Sequence, residues 1–432
     1  MNAQESLAPQ LPVPPDQRRH VIVIGAGVVG LSTALWLLRA GHAVTVIDRD
    51  PPRADGNYEH AASFGNAATI AFGACLPVAS PGVLASVPRM LLDRRGPLSL
   101  FWRDLPGLMP WLIAFIRSST PAEVDRIIRV LGQLLRLSEA GHAPLMQESG
   151  AESLFRRNGC LYLYKSAQKF AAAKNDIDMR QREGVRMEIL DADAIRAAEP
   201  GLAPLYHKGI RFSDTYFLDN PHQYALGLAR SVEARGGRFI SGEAVGVSSF
   251  EPNVGVRVNG DWLLADRIVV AGGAWSKRLA ASAGDKVLLD SERGYHVNFP
   301  DDGGRLNAPC CYPEHGFYLT PLQEGLRAAG TVELGGLGAP LRPVRTSVIA
   351  QVARELVPGL GKPGREWLGF RPSMPDSLPV VGPSPKDPRI IYAFGHGHIG
   401  LTLAGITGRM VSDLVSGQEL PMDISALRPT RF

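Results

Sequence analysis

The chain has 432 residues, 45% hydrophobic and 20% charged, with 46 basic against 42 acidic side chains and a net charge of +4. That length holds two large domains or an interleaved pair, and the balance is that of a globular enzyme. The small net charge, with no basic run interleaved with aromatics, excludes a nucleic-acid binder, and four cysteines without a CxxC spacing exclude a disulfide scaffold or zinc module and point to a reducing compartment.

Up to His20 the sequence is polar and proline-rich, without a hydrophobic signal core, and residues 1–19 are expected to form a flexible leader. Val21 to Ile24 are apolar β-formers that run into Gly25-Ala26-Gly27-Val28-Val29-Gly30. A helical pattern follows to Ala40, Gly41 stops it, and a second strand, Ala43 to Ile47, ends at Asp48 and Arg49. Strand, glycines, helix and terminal acid together make a complete βαβ dinucleotide-binding unit. Gly25 permits the tight turn, Gly27 lets the backbone approach a pyrophosphate, and Gly30 lets helix and strand pack closely. The helix N-terminus at Val28 and Val29 offers free N–H groups and a positive dipole end to phosphates, and Asp48 is placed to bind a ribose hydroxyl.

The loop after it, 51–73, is rich in Gly, Ala, Ser and Asn. Ser63 is suited to a phosphate, and Gly65-Asn66-Ala67-Ala68 to lie against an aromatic ring system. From 81 to 150 the pattern is helical, with Val124, Ile127, Ile128, Leu131, Leu134, Leu135 and Leu137 near the 3.6-residue period. Leu105 to Ile116 is the richest apolar patch outside the strands. It is expected to be a buried helix, with a segment resting on a membrane surface as the alternative. No apolar run is long enough to span a bilayer.

Residues 159–165 predict a strand, 167–183 a helix, and 185–199 a strand followed by a helix capped by Asp191 or Asp193. Asp219-Asn220-Pro221 opens a helix to Arg235. Strands are expected at 238–241, 245–250 and 254–258. A further strand, Arg267 to Ala271, ends in Gly272-Gly273-Ala274-Trp275, where paired glycines let backbone pass close to a nucleotide. Residues 287–300, 315–322 and 326–334 are expected to be strands of a second, antiparallel sheet, and 346–356 a helix. Arg371 stands between a glycine, Gly369, and Pro372, which hold its backbone, and a restrained guanidinium suits bidentate carboxylate binding; a surface arginine in a solvated turn is the ordinary alternative. Strand 389–394 enters Gly395-His396-Gly397-His398-Ile399-Gly400, and a closing helix, Leu401 to Ser416, stops at Gly417. This repeats the exposed helix N-terminus of the first motif, aimed at developing negative charge. His396 and His398 are too few ligands for a metal, and none is expected.

The N-terminal fingerprint, AGGAW, GFRPSMPD with the following PVVG, and FGHGHIGLT stand in the order found in the D-amino-acid oxidase superfamily of FAD-dependent oxidoreductases, which the chain resembles over about residues 20–420. Within it the chain is most similar to the bacterial D-amino-acid dehydrogenase branch, through AASFGNAATI, GCLYLYKS and SGQEL. The resemblance implies an α/β fold. A discontinuous Rossmann-like FAD-binding domain (20–84, 216–282, 365–432) is interleaved with an α+β substrate domain on an antiparallel sheet (85–215, 283–364).

It also implies non-covalent FAD, since no cysteine stands near the C-terminal glycine loop. Gly25, Gly27, Gly30 and Asp48 would hold the ADP part, and Ser63, Gly65, Asn66 and Ala67 the phosphates and flavin. Val245 would contact the adenine side through its backbone, Gly272, Gly273 and Trp275 would line the nucleotide, and Gly397, His398, Gly400, Leu401 and Thr402 would face the flavin. Arg371 matches the arginine that binds the substrate carboxylate. Tyr295 and Tyr318 are expected to bond or wall the substrate, and His296, unusual for the branch, to shape the pocket or accept the amine proton. The implied reaction is oxidation of an amino acid at Cα–H. YFLDNP at 216–221 suggests a subgroup accepting cyclic substrates such as D-proline or hydroxyproline. A quinone or an electron-transfer protein is the implied acceptor, and the implied location is cytoplasmic or peripheral at the inner membrane. The alternatives are an oxidase of secondary or N-methyl amines and a non-catalytic flavin-binding redox sensor.

Overall fold

The computed structural model describes residues 5–53, 58–92 and 98–432. A six-stranded sheet runs in the order Arg238–Ser241, Ala43–Asp48, His20–Ile24, Arg267–Val270, Ile390–Phe394, Val380–Pro383. Every neighbouring pair is parallel except the last. Its central strands are near-continuous apolar runs because both faces are covered. Val21, Val23, Val44 and Val46 face the helices Val28–Arg39 and Gly400–Ser416. Ile22, Ile24 and Ile268 face a three-stranded antiparallel meander, Ala244–Ser249, Val254–Val258 and Asp261–Ala265.

The second sheet has nine strands. Its order is Glu366–Ser373, Asp290–Phe299, Gly325–Leu334, Phe317–Leu322, Cys310–Tyr312, Cys160–Tyr164, Lys208–Phe212, Glu188–Leu190, with Leu98–Leu100 beside Gly325–Leu334. It is mixed rather than purely antiparallel, because Cys310–Tyr312 lies parallel to Cys160–Tyr164 and Leu98–Leu100 parallel to Gly325–Leu334. Tyr295, Val297, Phe299 and Leu326 pack under the helix Pro343–Leu356 through Ile349, Ala353 and Leu356.

Several expectations are corrected by long-range packing. Glu366–Ser373 hydrogen-bonds along Asp290–Phe299, so 365–373 stands with the second sheet and not with the nucleotide half. Helix Pro121–Glu148, assigned by sequence to the substrate half, packs on Gly400–Ser416 in the first core; a Cβ at Gly141 would lie 2.4 Å from the Ile406 nitrogen. The leader is tied down over its described part: Val13 is buried, Arg409 Nη1 donates to the Ala8 carbonyl at 2.7 Å, and Gln10 Nε2 to Ser412 Oγ at 2.7 Å; residues 1–4 lie outside the described residues. The 167–183 helix is interrupted at Ala173. Leu98–Leu100 is a strand inside the stretch read as helical.

Helix Leu105–Ser118 is not buried all round. Leu108, Trp111 and Phe115 face inward, while Met109, Ile113 and Ile116 are 43%, 44% and 55% exposed. No helix among the described residues is long and apolar enough to cross a membrane. All four cysteines are buried free thiols.

Candidate functional site

One cavity of about 460 Å³ runs from the βαβ turn, between the two sheets, to Arg371. Its first wall is the glycine turn. Gly25 adopts φ +108°, a left-handed conformation open to glycine, and a Cβ at Gly30 would lie 1.9 Å from the Gly25 carbonyl oxygen. Gly30 therefore does the packing behind the turn and does not line the cavity, whereas Gly25, Gly27, Val28 and Val29 do. Helix Val28–Arg39 has no side-chain cap. Its first N–H, at Val28, reaches Ser63 Oγ at 3.3 Å, and its dipole end is directed at the cavity.

Asp48 is clamped by backbone donors, with Oδ2 accepting from the Ala26 N–H at 2.6 Å and Oδ1 from the Asp50 N–H at 2.8 Å. The Arg49 guanidinium lies 4.0 Å over the Trp275 ring, and Gly272, Gly273 and Trp275 complete this end. Val245, expected to contribute its backbone, is not among the lining residues; Gly242, Glu243 and Ala244 line the wall instead.

The middle of the cavity is the 63–68 loop, held in place by the second sheet. Fully buried Arg327 donates through Nη1 to the carbonyls of Phe64 (3.0 Å) and Asn66 (2.9 Å). Thr320 Oγ1 donates to the Ala67 carbonyl at 3.0 Å, and His296 Nδ1 to the Gly65 carbonyl at 3.0 Å. Trp367 crosses Gly65 so closely that a Cβ there would lie 2.3 Å from its ring. Ala68 sits at φ 58°, a strained value for a residue with a Cβ, its N–H held by Asn66 Oδ1 at 2.7 Å. Gly65, Asn66, Ala67 and Ala68 all line the cavity.

Opposite this loop, the glycine-rich turn opens helix Gly400–Ser416, which also lacks a side-chain cap. Gly397, His398, Gly400, Leu401 and Thr402 line the cavity. His396 is buried against Thr407 Oγ1 at 2.9 Å, and burial pushes its pKa down to about 3, so it is a neutral packing residue.

At the far end Arg371 is half-buried and donates through Nη1 to the Thr331 carbonyl at 3.0 Å. Burial lowers its pKa, and the charge of Glu292 opposes that shift. Glu292 is the cross-strand partner of Arg371, is 5% exposed, lines the same cavity, and bonds His398 Nε2 at 2.7 Å. Tyr318 lines the cavity with its hydroxyl 2.5 Å from that of Tyr162. Arg180, bonded through Nε to the Gly73 carbonyl at 3.1 Å, lines the wall beside them.

Two sequence-chosen residues are placed elsewhere. Tyr295 projects to the other face of its strand, where it donates to buried Glu333 at 2.6 Å. His296 is buried, stacked on Trp367 with ring centroids 5.0 Å apart; burial and the Arg327 charge hold it well below its ordinary pKa, and neither residue lines the cavity. Tyr295 falls out because alternate residues of a strand face opposite ways. His296 has the parity of Glu292 and Gly294 but lies beneath Trp367. Sequence reasoning missed Glu292, Tyr162, Arg180, Arg327 and Trp367. The parity of Glu292 with Gly294 was a readable signal; the others belong to no motif.

The arrangement fits FAD: two uncapped helix N-termini, one by the glycine turn and one at the distal end, are joined by a clamped loop of small residues. At Gly27 a Cβ would meet only Ser63 Oγ, at 3.8 Å, so the backbone there stands open to the cavity, while Gly25 and Gly65 are closed from behind by the Ala271 carbonyl and the Trp367 ring.

A family model described as FAD dependent oxidoreductase matches residues 20–414. A D-amino-acid oxidase of Bradyrhizobium diazoefficiens is 37% identical over 96% of this chain and 99% of its own length. A D-amino acid dehydrogenase of Cereibacter sphaeroides is 33% identical over 96% of this chain and 95% of its own. Among solved structures, glycine oxidase from Geobacillus kaustophilus aligns with a TM-score of 0.71 at 20% identity, covering 96% of this chain and 99% of that one. L-proline dehydrogenase from P. horikoshii aligns with a TM-score of 0.69 at 19% identity, covering 98% of each chain. With the uncapped helix ends and the clamped loop in place, these matches make the chain a member of the FAD-dependent oxidoreductase family of the D-amino-acid oxidase type.

Proposed function

We propose that this enzyme oxidises D-amino acids, cyclic ones such as D-proline included, at the Cα–H bond to an imine. The observation that carries the reading is Arg371: a half-buried guanidinium at the end of the cofactor cavity, fixed by one backbone carbonyl and facing the cavity with its remaining donors. Such a fork binds a carboxylate with two parallel charge-assisted bonds. FAD, when bound, supplies the acceptor for the two electrons and the hydrogen of Cα–H. The chain's own part is to anchor the substrate carboxylate at Arg371, to wall the side chain with Tyr318 and Tyr162, and to hold the Ser63–Ala68 loop rigid through Arg327, Thr320 and His296. Positioning of this kind accounts for a large share of such a rate enhancement.

The test is anaerobic bleaching of the bound flavin across D-, L-, cyclic and N-methyl amino acids, in wild type and Arg371→Ala. Wild type is expected to bleach with D-amino acids, and the variant to keep FAD while losing most of kcat/KM. Normal turnover by the variant overturns the anchor. Bleaching by N-methylglycine alone favours a secondary-amine oxidase, and no bleaching by any substrate a redox sensor.

For the electron acceptor we propose a quinone or an electron-transfer protein reached at a membrane surface. Trp102, Met109, Ile113 and Ile116 form an exposed apolar stripe, with exposed Arg103, Asp104 and Arg117 next to its residues in the chain. The same helix turns Trp111 and Phe115 toward the cavity. An apolar stripe with arginines next to it in the chain suits an anionic lipid surface.

A further inference from the structure

The substrate of the proposed reaction is a zwitterion, and Arg371 answers only its carboxylate. The ammonium must lose a proton before the nitrogen lone pair can assist departure of the Cα hydride, and His296, the sequence candidate for that proton, does not reach the cavity.

Glu292 does. It stands directly across from Arg371 in the register of Asp290–Phe299 with Glu366–Ser373. Both side chains line the cavity, and the Arg371 hydrogen bond goes to Thr331 rather than to Glu292. A cation and an anion thus stand side by side at the end of the cavity, held by their own strands and not collapsed onto each other, the charge pattern complementary to an α-amino acid. Glu292 is 5% exposed, while the His398 side chain bonded to it at 2.7 Å is 40% exposed. The buried carboxylate therefore has one hydrogen-bonded imidazole neighbour, which lines the same cavity.

We propose that Glu292 is a catalytic residue: it binds the substrate ammonium and accepts its proton. The step balances. One N–H bond breaks and one O–H bond forms on Glu292; the neutral amine's lone pair can then form C=N as the Cα–H bond breaks, FAD being the two-electron acceptor that would supply the oxidation; the product is the iminium and Glu292 returns its proton to solvent. Burial alone raises the Glu292 carboxyl, but His398 and Arg371 outweigh it and keep it ionised, the charge state that pairs with an ammonium. These are the charged and titratable groups that face it: Arg371 with the Ser373 hydroxyl from the neighbouring strand, and His398 from the turn before the last helix. On the other side Gly325–Leu334 presents Leu334 opposite it, and the Arg293–Glu333 pair lies on the far face.

The proposal rests on the amino-acid reading above, and its test separates the two. In the FAD-loaded enzyme Glu292→Gln is expected to keep its flavin and lose about a hundredfold in kcat/KM for D-amino acids, the scale of a lost proton acceptor. The rising limb of kcat/KM against pH should shift toward the pKa of the free amine. Glu292→Asp should recover part of the rate and the original limb. Independently of turnover, benzoate titrated against the flavin absorbance has a carboxylate for Arg371 and no ammonium for Glu292, so Glu292→Gln should bind it several-fold more tightly. An unchanged pH limb, or benzoate affinity that stays the same or weakens, overturns the role of Glu292 while wild-type bleaching leaves the amino-acid reading standing. A wild type that no amino acid bleaches sinks that reading instead, and the benzoate titration still reports on the charge pair.

Discussion

Gly294 makes room for Arg371: a Cβ built at position 294 would lie 2.3 Å from the guanidinium carbon. The arginine comes from Glu366–Ser373 and folds over the neighbouring strand at the one residue that has no side chain to stop it. An alanine there meets the mobile end of a long side chain and not backbone. Gly294→Ala is therefore expected to fold and retain FAD, with Arg371 displaced from its carboxylate-binding pose. KM should rise and kcat/KM fall at least tenfold, with a thermal midpoint close to wild type. A variant with wild-type kcat/KM would show that Arg371 can anchor substrate from elsewhere.

Arg327 holds the cofactor loop from beneath. Its removal leaves the Phe64 and Asn66 carbonyls buried without their donor, at about 1–3 kcal/mol for each orphaned group. Arg327→Met should therefore lose FAD on gel filtration far more readily than wild type. Retention of a full flavin complement by that variant contradicts the clamp. His296→Gln, which removes the stack on Trp367, should lower stability without moving the pH profile of catalysis, since His296 is neutral and remote from the substrate end.

The nucleotide half was legible because its signals are local. The turn chemistry of Gly25 to Gly30, the apolar runs of the parallel strands and the Gly417 stop, at φ 66°, are each set by residues adjacent in the chain. Arg371 was legible through Gly369, two residues before it, and Pro372, directly after it. The substrate end was less so, because its parts meet only through sheet register. Which residues of 290–299 face the cavity depends on the pairing with 366–373 and on the irregularity between Arg293 and Tyr295, and one step of parity exchanges Tyr295 for Glu292. The clamp of Arg327 and Trp367 on a loop more than 250 residues away has no local signature at all.

Beneath the second sheet, Glu333 is fully buried, bonded to Arg293 at 2.9 Å, Arg342 at 2.9 Å and the Tyr295 hydroxyl at 2.6 Å. Burial raises its carboxyl, but Tyr295, Arg342 and Arg293 outweigh it, so its folded pKa lies below the ordinary value. A depressed folded pKa contributes stability that is present above the unfolded pKa and is lost as pH falls through the folded one. Glu333→Gln leaves Arg293 buried without its counter-charge, a cost of about 3–5 kcal/mol. Denaturant melts at pH 7 should show that loss, and the gap between wild type and variant should narrow as pH drops from about 5 toward 3. A gap constant across that range would remove the charge from the account.

The exposed stripe on Leu105–Ser118 makes the last prediction. Ile113 and Ile116 lie one helical turn apart on its outer face, with Met109 one turn before and Trp102 at the approach to the helix. Burying such side chains in a lipid interface is favourable by roughly 25 cal/mol per Å² of apolar surface removed from water, and each arginine near an anionic surface adds about 1 kcal/mol. The enzyme should co-sediment with vesicles containing anionic lipid, and less so as salt is raised. Ile113→Glu with Ile116→Glu should abolish sedimentation while flavin content and reduction of a soluble dye stay unchanged, because neither residue lines the cavity. If a quinone in the bilayer is the acceptor, turnover with vesicle-borne quinone should fall in step with binding. Equal vesicle binding by wild type and the double variant would leave the stripe without a lipid partner, and a double variant that reduces vesicle-borne quinone at the wild-type rate would separate the acceptor from this helix.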